Sequence, residues 1–145
     1  MFKTIVWAND GSEAAENALP LVRELAKEGS ATVTIVHVVE RVEGIGAVGI
    51  PHRADEGEVQ AHLRKLAEQL TGEGIKASLE VKGDVGTRPA HAVADVARTT
   101  SADLIVMGTR GHSAIGGLII GSVTTRLLHI APCPVLVVPP SKPVS

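Results

Sequence analysis

Gly108-Thr109-Arg110-Gly111 and, after a gap of nine residues, Gly121-Ser122 are the part of this chain best suited to chemistry with an anion. Glycine lets bare backbone approach a ligand closely, and a helix opening at Ser122 presents unpaired N–H groups and the positive end of its dipole. The run ahead of the glycines, Asp103-Leu104-Ile105-Val106-Met107, reads as a strand covered on both faces. Strand, glycine turn and helix start together make a phosphate-binding arrangement. Val123 and Thr124 add N–H groups in the same first turn. Arg110 and His112 are the ionisable side chains of the loop. Arg110 ranks first, because a guanidinium is always charged and forks two donors onto a phosphate, whereas His112 binds an anion best when protonated. The run 114–120 contains no Lys or Arg, so affinity must rest on backbone donors.

Spacing narrows the class. A P-loop needs Gly, four residues, then Gly-Lys-Ser/Thr, which is absent, and the first strand is not followed by a dinucleotide-binding glycine fingerprint. Asp10 closes the first strand in Asp10-Gly11-Ser12, where it either forms the turn or faces a ligand. His37, His52, His62, His91 and His129 show no metal-ligand spacing and are read as structural. Cys133, held between Pro132 and Pro134, has no basic or helix-start context to lower its pKa and is read as a packed residue.

These residues need a scaffold to bring them together. Lys3 to Ala8 reads as a strand, followed by a helix over 13–28 with Ser12 as its N-cap and Gly29 as its stop. Pro20 should kink that helix or weaken its ladder, since it removes a donor and crowds the preceding turn. A second strand covers Ala31 to Val39. Residues 40–54, with Gly44, Gly46, Gly49 and Pro51, show neither period and read as a long surface loop. Asp55 and Glu58 form a capping-box-like start to a helix whose inner face is Val59, Leu63, Leu66, Ala67 and Leu70, ended by Gly72 and Gly74. A strand over Ile75 to Lys82, a helix opening near Pro89 and the strand at 103–107 follow. Ser122 to Ile130 is the fourth helix, and Val135 to Val138 the fifth strand. Five strands alternating with four helices define an α/β domain with a doubly wound parallel sheet and right-handed crossovers. Residues 1–140 form this single domain, and 141–145 a short C-terminal tail.

Composition sets the outer bounds. At 145 residues, 44% of them hydrophobic, the chain suits one core. Aromatic content of 1% excludes the stacking platforms of single-stranded nucleic-acid binders, and a net charge of −2 gives no electrostatic footprint for nucleic acid or an anionic membrane. A single cysteine forms no internal disulfide, the N-terminus lacks a secretory pattern, and no apolar run approaches the roughly 20 residues that span a bilayer. A cytoplasmic location is expected, with small-molecule or protein partners and no nucleic acid or membrane.

The Gly-x-x-Gly, nine residues, Gly-Ser pattern, together with Phe2 to Ser12, His37-Val38, Ala102 to Gly111 and Gly121 to Val138, resembles the universal stress protein family in its ATP-binding branch. The resemblance implies the strand order 3-2-1-4-5, with ligands bound at the carboxyl ends of the strands where that order reverses, which is where Asp10 and Gly108 fall. It implies an ATP site built from Ala8, Asp10, Val38, Met107, Gly108, Arg110, Gly111, His112, Gly121, Ser122, Val123 and Thr124, with Asp10 near the sugar and phosphates and the Val38 backbone on adenine. It implies Mg²⁺ bridging the phosphates, and a nucleotide-responsive cytoplasmic regulator that hydrolyses ATP slowly or not at all, since no general base, water-positioning Gln or arginine finger is evident. AMP, ADP, a cyclic nucleotide, or an interaction module with an empty pocket are the alternatives. A phosphoacceptor domain is disfavoured, because strand 1 offers Asp10 alone. The family also points to a homodimer through the short uncharged strand at Val135 to Val138, whose edge has backbone groups to satisfy.

Overall fold

The computed structural model describes residues 1–42, 50–51, 54–84, 86–109 and 121–140. Strand β1 (Thr4–Ala8) leads through α1 (Glu13–Glu16) and α2 (Leu19–Gly29) to β2 (Thr32–Val38). Two short strands follow, β3 (Arg41–Val42) and β4 (Ile50–Pro51), then α3 (Glu56–Gly72), β5 (Lys76–Lys82) and α4 (Pro89–Thr99). The chain continues through β6 (Leu104–Gly108), α5 (Ser122–Ile130) and β7 (Val135–Val138). The main sheet is parallel throughout, in the order β5-β2-β1-β6-β7. Counting its own strands in chain order, that is 3-2-1-4-5, and the order reverses between β1 and β6.

Alternation along buried strands divides the core into two layers. Ile5 and Trp7 of β1 face α2 and α3, packing with Val22, Leu63 and Leu70. Val6 points the other way, with Ile105 of β6, Val93 and Ala97 of α4 and Leu127 of α5. The single Trp is fully buried. Asp103, one residue before β6, fastens the bottom of the sheet by accepting from the N–H groups of Lys3 (2.9 Å) and Thr4 (3.1 Å).

Local chemistry departs from the sequence reading in four places. The helix expected over 13–28 is two helices. Ala18 N–H reaches back only to the Ala15 carbonyl (3.2 Å), and Pro20 sits in the first turn of α2, where its missing donor costs nothing. Ser12 caps α1 as expected, its hydroxyl accepting from Ala15 N–H at 3.2 Å. Gly29 is not the left-handed stop; Ser30 takes that conformation (φ 51°), and Gly29 is small because a Cβ there would run into the Phe2 carbonyl. Asp55 occupies the N-cap position of α3 but makes no side-chain capping bond, so the capping box does not form. Finally, residues 40–54 are not wholly a loop: β3 and β4 pair antiparallel, Arg41 with Pro51 and Val42 with Ile50. The tail at 141–145 lies outside the described residues.

Candidate functional site

The carboxyl ends of β1, β2 and β6 open into a cavity of about 270 Å³, closed on one side by α1 and on another by the starts of α4 and α5. Its floor begins where β1 ends. Asn9 Oδ1 accepts from Gly11 N–H (2.8 Å) and Asp10 Oδ1 from Ser12 N–H (2.9 Å), two successive side-chain turns that swing the chain from β1 into α1. Gly11 has φ 81°, and a Cβ there would press on Val59 of α3 at 2.8 Å. The turn therefore depends on glycine for both conformation and space.

Gly108, the last residue of β6, needs to be glycine for a reason the sequence does not disclose. A Cβ at this position would collide with the Ala14 carbonyl of α1. Its bareness lets α1 lie directly on the end of β6, narrowing the cavity from above. Across the cavity, Gly121 is the N-cap of α5, with extended φ and ψ, and Ser122 is the first helical residue rather than the cap. α5 opens on the same cavity as Gly108 and Thr109. Glycine-backed backbone and a helix N-terminus thus meet on the β6 side.

Of the residues singled out from sequence, Ala8, Asp10, Val38, Met107, Gly108, Gly121 and Val123 line this one cavity. Ser122 is exposed and Thr124 is buried, and neither is among the lining residues. Arg110, Gly111 and His112 lie outside the described residues, as does His52. Asn9, next to Asp10, also lines the cavity, and so do His37, Glu40, Pro89, Val93 and Thr109, which the sequence did not assign to the site. Glu40 was obscured by its glycine-rich surroundings. Pro89 and Val93 carry an ordinary helix-start and core signal.

His37 is the most consequential of these. It is 1% exposed, and its Nε2–H donates to Glu56 Oε2 at 2.8 Å, with Oε1 at 3.1 Å. Glu56, itself buried, also accepts from Gln60 Nε2 (2.9 Å) and sits in the first turn of α3, where the helix dipole favours a carboxylate. The pair ties α3 to the end of β2 at the cavity wall. Two other histidines bond within the fold: His62 bonds Glu16 (2.7 Å), and His129 Nδ1–H donates to the Thr125 carbonyl (2.8 Å). Cys133 packs against the second core layer, and burial together with Asp103 raises its thiol pKa. Among the described residues no group of three His, Cys, Asp or Glu side chains could hold a metal ion, and no helix is long and apolar enough to cross a membrane.

A doubly wound sheet with a cavity at its topological switch point defines a class of ligand-binding α/β domains. Within that class the chain belongs to the universal stress protein family, whose family model matches residues 1–139. A universal stress protein of Thermus aquaticus is 38% identical over 143 residues, covering 95% of this chain and 99% of that one. Two solved structures share the fold: a universal stress protein of Archaeoglobus fulgidus in complex with dAMP (TM-score 0.66, 22% identity, 94% and 97% of the two chains) and a universal stress protein in complex with cAMP (TM-score 0.64, 23% identity, 97% and 98%).

Proposed function

We propose that this protein binds ATP in the cavity between β1, β2 and β6 and works as a nucleotide-responsive cytoplasmic stress regulator, with little or no hydrolysis. One observation carries the reading. The glycine end of β6 and the N-terminus of α5 converge on the same cavity that Asp10 and Val38 line from the other side. The phosphates lie at the β6 and α5 end, on backbone N–H groups from 121–124 and from the glycine loop, with Arg110 ahead of His112 as the side chain that meets their charge. Asp10 faces the sugar and phosphates, and the backbone of Val38 faces the base. An Mg²⁺ ion would come with the nucleotide and offset the charge of its phosphates. The dAMP and cAMP complexes of structural neighbours favour a second reading, in which a nucleoside monophosphate or cyclic nucleotide occupies the same cavity.

The protein acts as a homodimer through β7 in this proposal. Pro134 and Val138 carbonyls accept from Ile105 of β6 and from Thr109 just beyond it, so by the alternation of a parallel ladder Val135 and Val137 turn their N–H and C=O groups to the free edge. An uncharged edge of this kind is satisfied by its own symmetry mate.

Mass spectrometry of the small molecules released from purified protein identifies the bound nucleotide. Calorimetry with Gly121→Val then tests the site. A Cβ and two methyl groups at the start of α5 should abolish ATP binding in a protein whose circular dichroism is unchanged. Undiminished affinity in the folded variant removes this loop from the site.

A further inference from the structure

The cavity is electrically lopsided. Among the described residues that line it, the ionisable side chains are Asp10, His37 and Glu40, all on β1 and β2 or just beyond them, while the wall at Gly108, Thr109, Gly121 and Val123 presents backbone and a helix N-terminus. Since β2 and β6 flank β1 on opposite sides, their ends stand two strand spacings apart, about 10 Å. One end of the cavity suits an anion and the other repels it.

Glu40 stands at the repelling end. It follows β2 by two residues, lines the cavity and is exposed, and its carboxylate makes no hydrogen bond or ion pair among the described residues. Next to it the wall holds polar groups that the protein leaves incomplete. Asn9 is 2% exposed, its Oδ1 is committed to Gly11, and its Nδ2 has no partner; His37, committed to Glu56 through Nε2, has none at Nδ1. Buried polar atoms without partners, whether a donor such as Asn9 Nδ2 or an acceptor such as His37 Nδ1, are uncommon in native proteins, because each costs roughly 1–3 kcal/mol of lost hydration. A wall of this composition suits polar atoms of a ligand rather than an apolar group.

We propose that Glu40 is a specificity residue of the pocket, accepting a hydrogen bond from a donor group at the end of the ligand remote from its phosphates, either a sugar hydroxyl or an exocyclic base amine. The inference rests on the nucleotide reading given above. An ionised carboxylate accepts strongly and donates nothing, so it rewards a ligand with a donor there and rejects one that offers only an acceptor or none. A carboxylate beyond the second strand meets ribose hydroxyls in dinucleotide-binding sheets by the same chemistry. Repulsion between Glu40 and the phosphates also sets the direction in which the ligand enters.

The test compares ligands of equal charge, so that the general repulsion cancels. Affinities for ATP, 2′-deoxyATP, 3′-deoxyATP and the purine riboside triphosphate lacking the 6-amino group are measured by calorimetry on the full chain and on Glu40→Ala and Glu40→Gln. In the wild type, one analogue should bind about tenfold more weakly than ATP, as expected for loss of a hydrogen bond to a charged acceptor, and which one does so identifies the donor. Glu40→Ala should bring that ratio to about one, and Glu40→Gln, whose amide oxygen still accepts, to an intermediate value. The proposal is overturned if the wild type binds all four within twofold, or if the ratio survives in Glu40→Ala. A wild type that takes up none of the four overturns the nucleotide reading and this inference together, an outcome distinct from binding without discrimination.

Discussion

Replacing Gly108 with Ala should destabilise the ligand-free protein, because the glycine is where α1 rests on β6. The added Cβ meets the Ala14 carbonyl. That obstacle is backbone, so no side-chain rotation relieves it, and α1 is held in place by the Ser12 cap and by the two turns at Asn9 and Asp10. Overpacking in a well-packed site costs typically 1–3 kcal/mol, and a backbone obstacle belongs at the upper end, about 3 kcal/mol. For a chain of this size that lowers the melting temperature by about 10 °C. Gly57 supplies the control. It lies in the first turn of α3, where an added Cβ would meet nothing within 4 Å, so Gly57→Ala should instead raise stability by about 0.5 kcal/mol, the low end of the gain of alanine over glycine in a helix. Calorimetric melting of nucleotide-free wild type, Gly108→Ala and Gly57→Ala gives both shifts. A glycine required only for the approach of phosphate predicts no change without ligand. An apo melting temperature for Gly108→Ala within 1 °C of wild type therefore refutes the packing argument.

Asp10→Ala should weaken nucleotide binding while lowering the apo melting temperature only slightly, because its Ser12 bond is exposed; comparing melting curves with and without nucleotide separates the ligand role from the turn role. Val137→Pro removes an N–H that faces the free edge of β7 and spares the ladder to β6, so sedimentation should show a shift from dimer to monomer with circular dichroism unchanged. Glu73 is held below its ordinary value of 4.5 chiefly by the bond from Arg23 (2.7 Å), against a smaller effect of burial, with Lys27 assisting. A depressed carboxylate contributes stability above its unfolded-state pKa and loses it as the pH falls through its folded-state pKa. The difference in melting temperature between wild type and Glu73→Gln should accordingly be present at pH 7 and close as the solution is acidified past that range.

The scaffold was legible in the sequence because its signals are local. A saturated, β-branched run such as Leu104 to Met107, closed by Gly108, fits a strand buried on both faces, and the spacing of Val59, Leu63, Leu66 and Leu70 fits one side of a helix. Ser12 announced its cap in the same way. The strand order, though, came from the likeness of whole motifs to a family, since periodicity carries no information about which strands are neighbours. The tertiary structure decided what depends on residues far apart in the chain. Gly108 is small because Ala14 passes over it, Gly29 because Phe2 does, and Gly11 because Val59 stands behind it. His37 looked like one of several scattered histidines until the fold set Glu56, nineteen residues on, against its ring. Glu40, hidden in an aperiodic stretch, becomes a wall of the cavity only because β2 ends beside β1. Residue type fixes what a side chain is able to do, and local pattern fixes the element it rides on. Which groups meet, and therefore which glycine or carboxylate matters, is decided by packing between elements, which no window of sequence contains.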